Sequence, residues 1–248
     1  MSGTWTIFRR ELAGLFLQPL AWVLLSLALL FNGWLLQQWL YATGGEVTIT
    51  LAAALGGPGF WILACVLGPL ITMRMISEES RSGLLEYLLT APVGDAAVVV
   101  GKYLAATVFF AVLWASVPLY GLVFELLGTS PDWGQTLSAY VGAVLVSSLF
   151  CALGLAASAL TGTPALAAFL AFLAGIGLLL LPQAGQSLAD LVGEEWVEPA
   201  IHKIDLVGRL GASFMVGAID SGHVAFFVAW IAALLFLTTR LLEARRWR

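Results

Sequence analysis

The stretch that most nearly fits a phosphate-binding loop runs from Gly94 to Lys102, where a lysine follows a glycine. A P-loop requires the spacing G-x-x-x-x-G-K-[ST], in which backbone amides hold the phosphates and the last hydroxyl ligates magnesium. Here the glycines are too far apart, and Tyr103 stands where Ser or Thr is needed. Gly101 and Lys102 are interpreted instead as the start of the third apolar span. We therefore expect no ATP hydrolysis by this chain alone and no cofactor bound to it.

Catalytic and metal-ligating patterns are equally scarce. His202 and His223 lie outside any zinc-binding spacing, and neither H-E-x-x-H nor G-x-S-x-G occurs. Cys65 and Cys151 lie inside apolar blocks, which predicts small buried hydrophobic residues rather than a disulfide or metal ligands. Glu125 is the one carboxylate near an apolar block with functional potential, but its closeness to a loop favours the outer interface. No catalytic residue and no metal site is predicted.

The distribution of charge predicts the fold. Only 10% of the residues are charged and 60% are hydrophobic, whereas soluble domains average about 25% charged residues. Each apolar block approaches the roughly 20 residues that a helix needs to cross the hydrocarbon core, and only helices satisfy their backbone groups there. We predict an all-α, polytopic membrane protein with six transmembrane helices in a single domain, 1–248. The blocks lie near 20–41, 52–73, 101–124, 137–160, 164–182 and 222–240.

Lys and Arg indicate the orientation of these spans. With a cytoplasmic N-terminus, nine of the basic residues lie on the cytoplasmic side, and only Lys203 and Arg209 lie on the other. This asymmetry and the even number of spans place both termini in the cytoplasm. A bacterial inner membrane is the expected location. The nine are Arg9, Arg10, Arg74, Arg81, Lys102, Arg240, Arg245, Arg246 and Arg248.

Residues 5–18 precede the first span and combine apolar and charged positions. Phe8 belongs to the apolar set, whereas Arg9, Arg10 and Glu11 interrupt it. The pattern predicts a short helix along the cytoplasmic interface, ended by Pro19 where the chain turns into the first span.

A long outer segment, 183–221, separates spans five and six. Its apolar spacing predicts one or two amphipathic helices that lie on the membrane, where they could cap a pathway or hold a periplasmic partner. The positions at near-helical spacing are Ile201, Ile204, Val207, Gly211 and Phe214. Small residues are abundant in spans four and five, and they suit either packing within one bundle or a dimer seam.

The cytoplasmic segment 76–93 joins spans two and three. Ser77 is a candidate helix N-cap, which would place Glu78 and Glu79 at the positive end of the helix dipole. Gly83 suggests a break between two short helices, because glycine costs about 1 kcal/mol inside a helix.

After Gly83 the same segment is amphipathic. Leu84, Leu85, Leu88 and Leu89 fall on one face, Glu86 falls on another, and Pro92 ends the run. Such a helix could simply rest on lipid. Its acidic polar side, however, is unfavourable against an anionic leaflet. Because it is attached to a span at each end, it could also transmit a displacement to both spans.

Three stretches together resemble the type 2 ABC exporter permeases, especially the gliding-motility-type branch. Residues 76–93 read I-S-E-E-S-R-S-G-L-L-E-Y-L-L-T-A-P-V and follow P-L-I-T-M-R at 69–74. The C-terminal stretch 236–247 reads F-L-T-T-R-L-L-E-A-R-R-W, and Gly217 and Asp220 precede the last span. With the six-span layout, the resemblance covers most of the chain. Leu84 departs from it, because relatives are expected to carry Thr or a similar residue there.

The resemblance implies a specific assembly. Phe8, Arg9, Arg10 and Glu11 would belong to an elbow helix, and His202 and Asp220 to the outer segment. A separate ABC ATPase, which binds ATP and magnesium, would dock on a coupling helix within 76–93. A second permease, identical or paralogous, would pair with this one in the bilayer, with room for a periplasmic or second membrane protein and no role for nucleic acid. The coupling residues implied are Glu78, Glu79, Arg81, Gly83, Glu86, Leu88, Leu89 and Pro92.

Two other classes of function stay open at this point. A membrane scaffold could couple an ATPase to an extracytoplasmic machine without moving any solute. An intramembrane enzyme is the third hypothesis, although no nucleophile–base pair is apparent. We expect no buried charge cluster in the spans, so that lipid-like, peptide and polymer cargo fit the sequence equally well.

Overall fold

The computed structural model describes residues 3–83, 94–192 and 205–246, with side chains omitted at 183–184, 186–192 and 245–246. Every regular element in these ranges is helical. The elements in chain order are α1 (Gly3–Leu17), α2 (Pro19–Ala42), α3 (Val47–Gly56), α4 (Pro58–Ser82), α5 (Asp95–Trp114), α6 (Ser116–Leu126), α7 (Trp133–Leu160), α8 (Pro164–Val192), α9 (Leu206–Ala212), a 3-10 turn (Phe214–Val216) and α10 (Ser221–Arg246).

The prediction of six spanning helices is confirmed. Six helical units in the described residues are long and apolar enough to cross a membrane, and each coincides with a predicted block. The second and third units extend beyond the predicted limits, because hydropathy marks the depth of the hydrocarbon rather than the end of a helix. The units are Pro19–Ala42, Val47–Ser82, Asp95–Leu126, Trp133–Leu160, Pro164–Pro182 and Ser221–Ala244.

The second and third spans are both interrupted. Gly57 is extended (φ −76°, ψ 176°) and separates α3 from α4, whose first residue is Pro58. The break exposes backbone carbonyls, and the indole Nε1 of Trp61 donates a 3.0 Å hydrogen bond to the Gly56 oxygen. In the third span, α5 ends at Trp114 and α6 begins at Ser116. Side-chain hydrogen bonds of this kind replace those that a broken helix loses in lipid.

The fourth span, α7, lies at the centre of the bundle, with 83% of its most apolar window buried. Its small residues let neighbours approach: Gly154 faces Thr72 of α4, and Gly142 faces Leu210 and Phe214. Within this chain, then, the small residues of the fourth span serve internal packing. In α8 a narrower stripe is buried, formed by Ala167, Ala171 and Gly175.

The helices α2, α8 and α10 form the periphery. Their most apolar windows are only 22%, 17% and 17% buried. Large apolar side chains such as Trp22, Leu30 and Phe169 are more than half exposed on them. This exposure suits a protein surrounded by lipid rather than water, because lipid tails are as apolar as these side chains.

The described part of the predicted outer segment begins as a continuation of the fifth span. Helix α8 continues past Pro182 to Val192, so residues 183–192 extend the helix that contains that span. In α9 the buried positions are Leu206 and Leu210, whereas Val207 is 43% exposed. Helix α9 thus packs on the bundle through Leu206 and Leu210, and Phe214 is fully buried beside them. That the predicted apolar face with Val207 lies on the membrane stays a prediction.

The outer elements dock on the bundle by caps and hydrogen bonds. Asp132 caps α7 by accepting from the amides of Gly134 and Gln135. The Gln135 side chain in turn donates a 2.6 Å hydrogen bond to the Met215 carbonyl oxygen. This hydrogen bond holds the 3-10 turn Phe214–Val216 against α7, so the turn contacts the bundle directly.

Candidate functional site

Helix α4 carries the second span directly into the predicted coupling segment. It has no break near residue 76, and the Ser77 hydroxyl donates to the Met73 carbonyl one turn earlier. The expectation that Ser77 caps a helix start was therefore wrong. Glu78 and Glu79 lie instead near the C-terminal end of α4, where the helix dipole disfavours carboxylates unless cations neutralise them.

Gly83 ends α4 in the left-handed conformation, at φ +74°. The prediction of a helix break at Gly83 agrees with this geometry, because glycine adopts positive φ without steric cost. Arg81 lies in the last turn, where a cation is favourable. Six predicted positions lie outside the described residues, so the helix after Gly83 stays a prediction: Leu84, Leu85, Glu86, Leu88, Leu89 and Pro92.

Lys102 is fully buried, with 0% of its side chain exposed. Because α5 begins at Asp95, Lys102 lies about two turns inside the helix, so the helix begins before the predicted start of the third span. Its Nζ lies 3.0 Å from Glu11 Oε1 and 2.9 Å from Glu79 Oε1. The expectation of no buried charge cluster is thereby corrected.

Arg10 completes this group. Its Nη2 lies 2.5 Å from Glu11 Oε1 and 2.9 Å from Glu79 Oε1. We call Arg10, Glu11, Glu79 and Lys102 the charge cluster; its two cations and two carboxylates sum to zero. Since Glu11 and Glu79 are only 16% and 13% exposed, their pairs with Lys102 are shielded from water, whereas Arg10 is 47% exposed. The charge cluster joins α1, the end of α4 and α5.

The sequence analysis assigned each of the four residues to a segment, but it did not predict that they contact one another. A lysine inside an apolar run was the available signal, because a charge at that depth is costly without a partner. Ile7, the one buried residue of α1, packs where a side chain at Gly101 would clash, so the absence of a Cβ at Gly101 lets α1 approach α5. The predicted N-terminal helix is present, and its position at the membrane interface stays a prediction.

The pKa of Glu11 shows the balance of forces in the charge cluster. Burial alone would raise it, but the charges and hydrogen bonds of Lys102 and Arg10 outweigh burial and hold the pKa below its ordinary value. For Arg10, burial acts to lower the pKa, and Glu11 and Glu79 more than compensate, so the pKa is raised. Both shifts favour the charged forms.

A carboxylate with a depressed folded-state pKa stabilises the fold above its unfolded pKa and loses that effect as pH falls through the folded value. We therefore expect Glu11→Gln to be less stable than the wild type by about 1–2 kcal/mol at pH 7. The difference should shrink as pH falls below about 4.5. Thermal unfolding of both proteins across pH 3–7, followed by tryptophan fluorescence, measures it. An equal difference at every pH would contradict this assignment.

The remaining candidates have structural partners. Glu125 accepts a 3.1 Å hydrogen bond from the indole of Trp133. Asp220 accepts from the Gly222 amide at 2.8 Å, at the start of α10. His202 lies outside the described residues. Among the residues that the structure describes, no three His, Cys, Asp or Glu side chains are grouped as metal ligands would be.

These features define a polytopic helical membrane protein in which the charge cluster connects the N-terminal helix to the end of the second span. A family model described as ABC-2 family transporter protein matches residues 47–193, more than half of the chain. The chain belongs to this family and is thus a permease component of an ABC transporter. No curated protein matches it. The matched range runs from α3 into α8 and includes both broken spans.

Proposed function

We propose that this chain is the membrane permease subunit of an ABC exporter, driven by a separate ATPase subunit that docks on residues 76–93. The observation that carries the proposal is the continuity of α4. Its 25 residues run from Pro58, beside the break, to Ser82, so its last seven residues already belong to the proposed docking segment. A displacement of that end therefore acts on one continuous helix about 37 Å long, in which Pro69 is the one interior proline.

The charge cluster would spread such a displacement to other helices. Glu79 moves with the end of α4, and its contacts with Lys102 and Arg10 tie it to α5 and α1. Removing one partner from a buried pair costs about 3–5 kcal/mol, so the three helices favour moving together. ATP and magnesium bind to the partner ATPase in this scheme, and its closure provides the push.

The exposed charges at the end of α4 suit the docking of a partner. The Glu78 side chain is 58% exposed, and Arg81 is exposed in the last turn. Glu79 is instead occupied within the chain, so its substitution would disturb the fold as well as docking. A test of docking should therefore leave Glu79 unchanged.

The sharpest test reverses charges of the proposed docking segment that lie outside the charge cluster. We expect the triple variant Glu78→Lys, Arg81→Glu, Glu86→Lys to bind the cognate ABC ATPase about tenfold more weakly, because like charges then face each other. Microscale thermophoresis of the detergent-purified proteins measures the affinity. The matched control is Arg240→Glu with Glu243→Lys, which reverses an exposed pair at the end of α10. Equal affinity of the triple variant and the wild type would overturn docking on 76–93.

Direction and transport need a second measurement. In proteoliposomes that contain the permease–ATPase complex, an exporter hydrolyses ATP and moves solute from the ATPase side to the other side. A scaffold would hydrolyse ATP without any flux of solute.

The proposal also has four more specific parts: the chain belongs to the gliding-motility-type branch, it pairs with a second permease, it lies in the inner membrane, and both of its termini are cytoplasmic. The charge cluster supports a common side for α1, the end of α4 and the start of α5.

A further inference from the structure

A cavity of about 280 Å³ lies in the angle between α1 and α2, against α4. Its volume corresponds to roughly nine water-sized groups, near the lower end of ligand pockets. Gln18 and Leu20 line its mouth, and both are exposed at the turn between α1 and α2. The cavity therefore opens beside the periphery of the bundle, where lipid is expected.

The walls of the cavity are mainly apolar. Leu15, Leu24, Ile71, Met75 and Phe109 line it from four different helices. Such a lining fits a hydrocarbon chain, because it offers no hydrogen-bond partner to a polar one.

The rim of the cavity is charged, and some of its charged side chains are already paired within the chain while others are only loosely paired. Glu11 and Glu79 line the cavity but are held by Lys102 and Arg10. Arg74 and Glu78 are different: their side chains are 53% and 58% exposed and lie 3.9 Å apart, a loose pair. One cation and one anion one helical turn apart are thus free to exchange partners with a bound ligand.

We propose that this cavity binds one phospholipid with a phosphoethanolamine headgroup, from the leaflet at the Arg74 end of the bundle. The lipid phosphate pairs with Arg74, its ammonium donates hydrogen bonds to Glu78, and the upper part of one acyl chain enters between α1, α2 and α4. An anionic lipid fits less well, because Glu78 opposes it and because anionic headgroups favour basic pockets. The inference does not rest on the docking of an ATPase.

Native mass spectrometry of the delipidated full chain tests this, with phosphatidylethanolamine, phosphatidylcholine and phosphatidylglycerol titrated separately. We expect one tightly held phosphatidylethanolamine, preferred over the other two lipids about tenfold. Arg74→Gln and Glu78→Gln should each weaken it about tenfold, because each removes a charge-assisted hydrogen bond.

A cavity-filling variant supplies the second arm. Gly14 lines the cavity and has no atom within 4 Å of an added Cβ, so Gly14→Leu should fill it and weaken binding about tenfold. Gly177→Leu is the matched control, because Gly177 of α8 is exposed and equally unobstructed. Equal binding of the three lipids, or equal loss in Gly14→Leu and Gly177→Leu, would overturn the proposal.

Discussion

Replacement of Lys102 by methionine is expected to destabilise the protein by about 3–5 kcal/mol, because it leaves two shielded carboxylates against one guanidinium. Methionine has a similar length and fits the 0% exposed site, so the lost charge dominates the effect. Thermal unfolding in detergent, followed by the fluorescence of the ten tryptophans, measures the change.

Two controls separate charge from packing. Arg240→Met removes a cation from the exposed Arg240–Glu243 pair, and exposed pairs contribute only about 0–1 kcal/mol. The double variant Lys102→Met with Glu11→Gln restores an equal number of cations and anions in the charge cluster. It should recover a large part of the lost stability. A double variant no more stable than Lys102→Met alone would show that unpaired charge is not the cause.

The second large effect is expected at the crossing of α4 and α7. A Cβ at Gly154 would overlap the Thr72 hydroxyl and lie 3.1 Å from the Thr72 Cβ. Because both helices are packed at the centre of the bundle, neither can move away cheaply. We expect Gly154→Ala to cost about 1–3 kcal/mol, as overpacking of a core does.

Replacement of Gly177 by alanine should change the stability in the opposite direction and stabilise the protein. Its added Cβ meets no atom within 4 Å, and alanine favours a helix over glycine by up to about 1 kcal/mol. Thr72→Ala removes the overlapping hydroxyl, so Gly154→Ala with Thr72→Ala should be more stable than the sum of the single changes predicts. Differential scanning fluorimetry of the four variants tests both points. Equal effects at Gly154 and Gly177 would contradict the packing argument.

The six spans could be predicted from the sequence, because hydropathy directly reports which segments are buried in lipid. Six blocks and the turn at Pro19 follow from apolar length and proline alone. The break at Gly57–Pro58 was missed, since an apolar run does not show where one helix ends and another begins inside it. For the same reason α4 was expected to end before Ser77, although its helix continues to Ser82.

The site was harder to predict than the fold. Glu11, Glu79 and Lys102 are far apart in the sequence, and only the packing of α1 and the end of α4 on α5 brings them together. Local rules place a carboxylate after a helix cap, which is how Glu79 was interpreted, but a tertiary pair with Lys102 outweighs that preference. The side of α9 that packs on the bundle could not be predicted, because a seven-residue helix gives too short a pattern to show which side contacts its neighbours.

The charge cluster also has a consequence for the biogenesis of the protein. Lys102 and Glu11 are 91 residues apart, so Glu11 leaves the ribosome long before Lys102 enters the membrane. The charge cluster can therefore form only after residues 11, 79 and 102 have all been synthesised, so its stabilisation belongs to the assembled bundle and is absent while the first two spans stand alone.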